Sequence, residues 1–214
     1  IRIRVPGELF LFISKLIGMH SYKFFYMASS EVPNFPEFVA VGMVDDIQLG
    51  HYDSNIKRVE LKQDWMKKVT EDEAEYWKRL NQRAVVIQQR FKVRLDTFKQ
   101  SFNQTGGVHI VQNMYGCEWD DETGDVNGYD QYGYDGEDFI VLDLKTWTWV
   151  AAQQQAVAIK QEWDKDKARI EYHKNYLTNE CLDWLKKLIF IVDSLILKSL
   201  FSPVHLKSVI KHEL

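Results

Sequence analysis

The chain has 214 residues, 45% of them hydrophobic, and a formal net charge of −4. That length fits one domain with or without tails, and the apolar share supports a real core, which excludes global disorder. The mild negative charge offers no basic surface of the kind nucleic acid requires.

The chain starts at Ile1, so a processed or incomplete start is expected. The apolar run 9–17 follows Arg2 and Arg4 as in a signal peptide, but it is short, holds Lys15 and lacks a small-residue cleavage site. No segment reaches the ~20 apolar residues of a membrane-spanning helix. The nearest, 188–201, contains Asp193 and Lys198.

Residues 20–61 read as a meander of short strands: SYKFFYMAS, FVAVGMV, IQLGHY and RVEL, with turn signals between them. The period then changes. Trp77, Leu80, Ala84, Ile87, Phe91 and Phe98 mark one face of a long amphipathic helix within 65–102, broken at Gly106-Gly107. Residues 108–144 return to strands, with Val111, Asn113, Tyr115 and Cys117 on one face. Asn127-Gly128 and Asp135-Gly136 read as turns, the second as a tight hairpin whose two central residues need positive φ. Residues 147–188 are predicted helical again. The charged run 164–169 inside them is either a solvated face or a bend. Strands, helix, strands, helix make a duplicated plan, and the class is α+β with an antiparallel sheet.

The acid-rich stretch 113–143 lacks the register of a calcium-binding EF-hand loop. Its alternating tyrosines argue for folded sheet. His20, His51, His109, His173, His205 and His212 form no HExxH pair, and there is no nucleophile elbow or phosphate loop. No catalytic residue, metal site or cofactor is expected. Cys117 and Cys181 fit either two free thiols or one disulfide, which would staple the last helix to the sheet. Asn103-Gln104-Thr105 is a glycosylation sequon and, with an even cysteine count, points to the secretory pathway. The aromatic residues are plain core or the lining of an apolar cleft between two helices.

Nine segments stand in the order and spacing of a known family: HSYKFFY (20–26), FVAVGMVDD (38–46), YDS (52–54), AEYW (74–77), FNQT (102–105), VQNMYGCEW (111–119), YDQYGYDGEDFI (129–140), TWVAA (148–152) and CLDWL (181–185). The chain resembles the alpha 1–alpha 2 platform of MHC class I heavy chains over residues 20–188, with the halves meeting near 107–108. In flavour it is similar to a divergent fish member. The resemblance implies an eight-stranded antiparallel sheet topped by two long helices. It implies a Cys117–Cys181 disulfide and a glycan on Asn103. The implied partners are beta-2-microglobulin, a peptide or non-peptide (lipid-like) ligand in the groove, and a T-cell or natural-killer receptor.

On the resemblance, the groove is expected to be lined by Phe24, Tyr26, Tyr76, Leu80, Ala84, Ile87, Phe91, Arg94, Thr97, Phe98 and Ser101 from the first half. From the second half it takes Asn113, Tyr115, Tyr132, Phe139, Ile159, Glu162, Trp163, Tyr176, Trp184 and Leu188. Members that present peptides hold the peptide ends with a fixed polar set. Tyr76, Tyr176, Thr97 and Trp163 match that set. Phe24 and Leu188 each stand where those members have tyrosine, Ser101 replaces a Tyr or Arg, Ile159 a Thr and Glu162 a Lys. Capture of peptide termini is therefore expected to be impaired, because a glutamate repels the carboxylate that a lysine would neutralise. An empty-groove regulator or transporter on the same platform is the alternative. Segments 1–19 and 189–214 fall outside the family pattern, the second standing where an immunoglobulin-like domain is expected. They are expected to reflect an incomplete gene model or a truncated soluble form.

Overall fold

The computed structural model describes residues 18–66 and 74–200. Eight strands form one antiparallel sheet: β1 (Met19–Ser30), β2 (Phe38–Val44), β3 (Ile47–Asp53), β4 (Arg58–Leu61), β5 (His109–Asp120), β6 (Val126–Tyr134), β7 (Glu137–Asp143) and β8 (Thr148–Ala151). Their order is β4-β3-β2-β1-β5-β6-β7-β8. The two halves each form a four-strand meander, and they join where β1 pairs with β5 from Met19↔Asp120 to Ser30↔His109. The fold class is α+β, as the sequence predicts, with the two helical walls described below.

The first wall is α1 (Ala74–Ser101). Ala84, Phe91, Leu95 and Phe98 are buried along it, at steps of helical period, and they seat it on the sheet. The second wall is segmented. A 3₁₀ turn (Gln154–Ala156) leads into α2 (Val157–Lys165), then α3 (Lys167–Asn175), a π-helical turn (Tyr176–Glu180) and α4 (Cys181–Leu200).

The break between α2 and α3 falls at Asp166, whose ψ of 80° leaves the helical region. Its carboxylate accepts from the Arg169 backbone N–H at 3.0 Å and caps α3. The charged run is thus a bend whose side chains are also mostly exposed. The π-helical turn places Tyr176 and Leu177 inward together, both buried, and leads straight to Cys181. A Cys117–Cys181 disulfide ties α4 to β5, with 6.1 Å between Cα atoms.

Two predicted elements are corrected. Residues 148–151 are strand β8 and the helix begins at Val157. Asn127-Gly128 is not a turn but lies inside β6. The chain reverses at 121–125, where Asp120 Oδ1 accepts from the N–H groups of Glu122 and Thr123 at 2.9 and 3.0 Å and Gly124 takes φ +80°. Gly128 serves packing: a Cβ there would sit 3.0 Å from Leu144 Cδ1 and 3.3 Å from Leu177 Cβ. Asp135 and Gly136 form the expected tight turn, with φ of 50° and 87°. At the end of the second wall α4 runs on past Leu188, with Ile189 buried and Val192 packed on the core. Among the described residues no helix is long and apolar enough to cross a membrane.

Candidate functional site

The two walls leave a groove above the sheet. Strand alternation decides which side chains reach it: Phe24 and Tyr26 from β1, Asn113 and Tyr115 from β5, Asp130 and Tyr132 from β6. Among the described residues, two cavities are found in the groove.

The first, of about 530 Å³, lies toward the β2–β4 side. Phe24, Tyr26, Phe38, Leu49 and Tyr52 floor it, Leu80, Ala84 and Ile87 wall it from α1, and Tyr176 and Trp184 wall it from the other side. Ring packing shapes the floor, with Tyr22–Phe24 at 4.8 Å and Phe38–Tyr52 at 5.9 Å between centroids. Tyr52 donates to Gln88 Oε1 at 2.6 Å, which ties the floor to α1. Such a chamber favours apolar groups.

The second cavity, of about 1090 Å³, is central and more polar. Phe91, Tyr115, Tyr132, Trp163 and Tyr172 give it aromatic walls, while Arg90, Arg94 and Arg169 bring charge. The Arg94 guanidinium stands 5.1 Å from the Phe91 ring, 5.0 Å from Tyr132 and 5.7 Å from Trp163, in cation–π range of all three. Asp130 lies on the floor, 1% exposed, and accepts from Asn113 Nδ2 at 2.8 Å. Burial pushes its carboxyl up to about 7, against the opposing influence of Arg94 and the Asn113 hydrogen bond. Among the described residues the Tyr115 hydroxyl is buried without a hydrogen-bond partner.

Between the cavities one side chain spans the groove. Arg83 on α1 donates to the Tyr172 hydroxyl on α3 at 3.3 Å and lies 5.4 Å from the Tyr176 ring. At the far end the groove closes through packing. Phe98 and Phe139 are 4.3 Å apart between ring centroids, and Phe102 stacks on Tyr134 at 5.0 Å.

The residues predicted to line the groove divide accordingly. Phe24, Tyr26, Leu80, Ala84, Ile87, Tyr176 and Trp184 line the first cavity. Tyr26, Ile87, Phe91, Arg94, Thr97, Asn113, Tyr115, Tyr132, Glu162 and Trp163 line the second. Phe98, Ser101, Phe139, Ile159 and Leu188 line neither. Phe98, Phe139, Ile159 and Leu188 are buried in the core instead. Ser101 donates back to the Phe98 carbonyl at 2.7 Å. The side chain of Tyr76 lies outside the described residues.

Arg83, Arg90, Arg169, Tyr172, Asp130 and His173 also line the site without having been read from the sequence. A signal existed for part of this set: Arg83, Arg90 and Arg94 step by 7 and 4 along α1, which places them on one face.

The sequon residue Asn103 is exposed in the turn that ends α1, in the left-handed region at φ 57°. Asparagine suits that conformation at a helix end.

Similarity to known proteins agrees with this architecture. The family described as "Class I Histocompatibility antigen, domains alpha 1 and 2" matches residues 18–191. The chain is 37% identical over 189 residues to the H-2 class I histocompatibility antigen K-D alpha chain of Mus musculus, covering 85% of this chain and 50% of that one. It is 41% identical over 177 residues to the K-K alpha chain, covering 79% and 46%. To the mouse major histocompatibility complex class I-related protein 1 it is 38% identical over 172 residues, covering 79% and 49%. The chain spans about half the length of the curated relatives it matches. With that match and the eight-stranded platform under two helical walls, the chain belongs to the MHC class I family.

Proposed function

We propose that the chain displays a ligand between its two helical walls for an immune receptor of T-cell or natural-killer type, without catalysis. The observation that carries this is the groove itself, with cavities of about 530 and 1090 Å³ open above the sheet floor. The partner beneath the sheet is beta-2-microglobulin. The lower face offers it apolar area in Phe25, 41% exposed, and in the cross-strand pair Val141 and Val150, 36% and 46% exposed. Passage through the secretory pathway, with a glycan on exposed Asn103, fits the family; its mark is a mass shift that Asn103→Gln abolishes.

The ligand is not gripped by its termini as in peptide-presenting members. Phe24 offers no hydroxyl in the first cavity, and Leu188 is buried away from both cavities. Thr97 and Ser101 turn their hydroxyls back to the carbonyls of Val93 and Phe98 at 2.9 and 2.7 Å. Glu162 lines the central cavity where a lysine would have neutralised a carboxylate. The first cavity, apolar on both walls, suits a lipid-like or other apolar moiety.

The test is co-expression of the full chain with beta-2-microglobulin, followed by unbiased mass spectrometry of what elutes. Stable association and a non-peptide or loosely anchored ligand are expected. Families of short peptides with shared terminal anchors would overturn impaired terminus capture. A stable receptor complex with nothing eluted would favour a regulator that acts by protein contact alone.

A further inference from the structure

Four arginines, Arg83, Arg90, Arg94 and Arg169, and three carboxyl groups, Asp130, Glu162 and Asp166, line the central cavity. Among the described residues, the carboxylate pairing of these guanidiniums is Arg169 Nε to Asp166 Oδ2 at 3.4 Å. Asp166 is already occupied as the cap of α3. Glu162 is exposed at the rim, and Asp130 is held on the floor by Asn113. Arg94 has no carboxylate within ion-pair distance among the described residues. Its guanidinium is instead fixed by the rings of Phe91, Tyr132 and Trp163. Trp163 also carries Arg169 at 5.2 Å, so two cations flank one indole.

The imidazole of His173 reports the same convergence. Burial first, and then the charges of Arg94, Arg169 and Arg90, push it down to about 4, so it adds no positive charge at neutral pH. A second, independent feature points to a ligand. The Tyr115 hydroxyl lines this cavity and, with Tyr115 only 8% exposed, is buried without a hydrogen-bond partner among the described residues. A buried hydroxyl left unpaired is costly, and native structures tend to supply it a partner.

We propose that the central cavity is a carboxylate-receiving site, with Arg94 as the anchoring cation and the Tyr115 hydroxyl as a further donor. The preferred ligand joins an acidic group to a flat apolar or aromatic body. The guanidinium fork pairs with a carboxylate through two parallel charge-assisted hydrogen bonds, and the surrounding rings accept the body by stacking. A lysine at this position would give a point charge without the fork. The inference rests on the reading that the groove holds a ligand. Two sources share the chemistry, namely a free organic acid and the acidic side chain of a peptide lying across the middle of the groove.

Isothermal titration of the full chain in complex with beta-2-microglobulin separates them. One arm compares 3-phenylpropionate with 3-phenylpropionamide, which has the same shape and no charge. The other compares a short peptide carrying a central glutamate with the same peptide carrying glutamine. The acid is expected to bind at least about tenfold more tightly than its amide in one arm or both. Arg94→Gln should abolish that preference and Arg94→Lys should restore part of it, with Tyr115→Phe weakening the acid more than the amide. Acid and amide binding equally to the wild-type complex would overturn the carboxylate site and leave ligand display standing. Binding of neither pair, with nothing eluting from the groove, would overturn both.

Discussion

Asp130 Oδ2 from the sheet floor stands 3.3 Å from His173 Nδ1 on α3, and both side chains are buried. The pair is not hydrogen-bonded, since Nδ1 has no partner of good geometry among the described residues. Burial acts on the two groups in opposite directions. It pushes Asp130 from an ordinary 3.8 up to about 7 and, with the arginine charges, His173 from 6.5 down to about 4. Stability rises with pH wherever the unfolded state binds more protons. Between pH 4 and 6.5 the folded chain keeps a proton on Asp130 that the unfolded chain releases, so that contribution falls as pH rises. Over the same window the unfolded chain protonates a histidine that the folded chain keeps neutral, so that contribution rises. The two slopes oppose each other in the wild type. Asp130→Asn should expose a stability that climbs from pH 4 to 6.5, and His173→Gln one that declines from pH 4 to 7. Urea midpoints measured across pH decide it. Two variants whose slopes match the wild type would remove the assignment.

Two glycines set a graded test of close packing, one where the sheet meets the second wall and one inside the sheet. A Cβ on Gly128 meets Leu144 Cδ1 at 3.0 Å and Leu177 Cβ at 3.3 Å, contacts that side chains partly relieve. Gly128→Ala should cost about 1–3 kcal/mol, as overpacking does. A Cβ on Gly116 would lie 2.1 Å from the Tyr22 carbonyl oxygen, with φ at +155°. That contact sets the added side-chain carbon against the backbone of β1 in the central β1–β5 pair and has no cheap relief. Gly116→Ala should reach the upper end of single substitutions, ~4 kcal/mol or more, and lower the yield of folded protein. Thermal melts that rank the two variants in the reverse order would contradict the geometry.

Arg83 spans the groove between the two cavities. The contact is exposed, and such contacts contribute little to stability, ~1 kcal/mol or less. Its effect is expected instead on exchange. Arg83→Ala should leave the melting temperature within a few degrees and join the apolar and central cavities into one. A fluorescent fatty-acid probe should then dissociate faster. An unchanged dissociation rate would show that the cross-bridge does not control passage.

The strands were legible because alternation is a local property. The β5 face of Val111, Asn113, Tyr115 and Cys117 follows from a period of two, and Asp135-Gly136 names its own turn chemistry. The same logic misplaced Asn127-Gly128, since a glycine kept for close approach by Leu177 looks identical in sequence to one kept for φ. Strand β8 escaped notice because four residues carry too little alternation to stand against a helical period beside them. The bend at Asp166 and a solvated helical face share one composition, and only the capping hydrogen bond separates them. The groove was legible as an apolar stripe on α1. Arg94 was expected there from the resemblance, but Arg83 and Arg90 were not, because a reading of apolar periodicity passes over cations on the same face. Phe98, Ile159 and Leu188 were expected in the groove but are buried in the core, a depth set by tertiary packing that no local pattern records.

The Cys117–Cys181 bridge closes a span of 64 residues and both half-cystines are fully buried. Chain entropy assigns a closure of that length about 4 kcal/mol. It also joins the two features the groove depends on, since Cys117 shares its β5 face with Tyr115 and Cys181 follows the turn that presents Tyr176. The rings of Tyr115 and Tyr176 stack at 5.1 Å between centroids. Replacing both cysteines with alanine should therefore lower stability by about 2–4 kcal/mol and also loosen this tyrosine pair. Near-ultraviolet circular dichroism of the folded variant reads the second effect separately from the first. Because the sulfurs are buried, reductant should act on the wild type slowly in native buffer and quickly once denaturant opens the fold. Equal reduction rates in both conditions would mean that α4 lifts from the sheet without global unfolding, and the second wall would then be a mobile element of the groove.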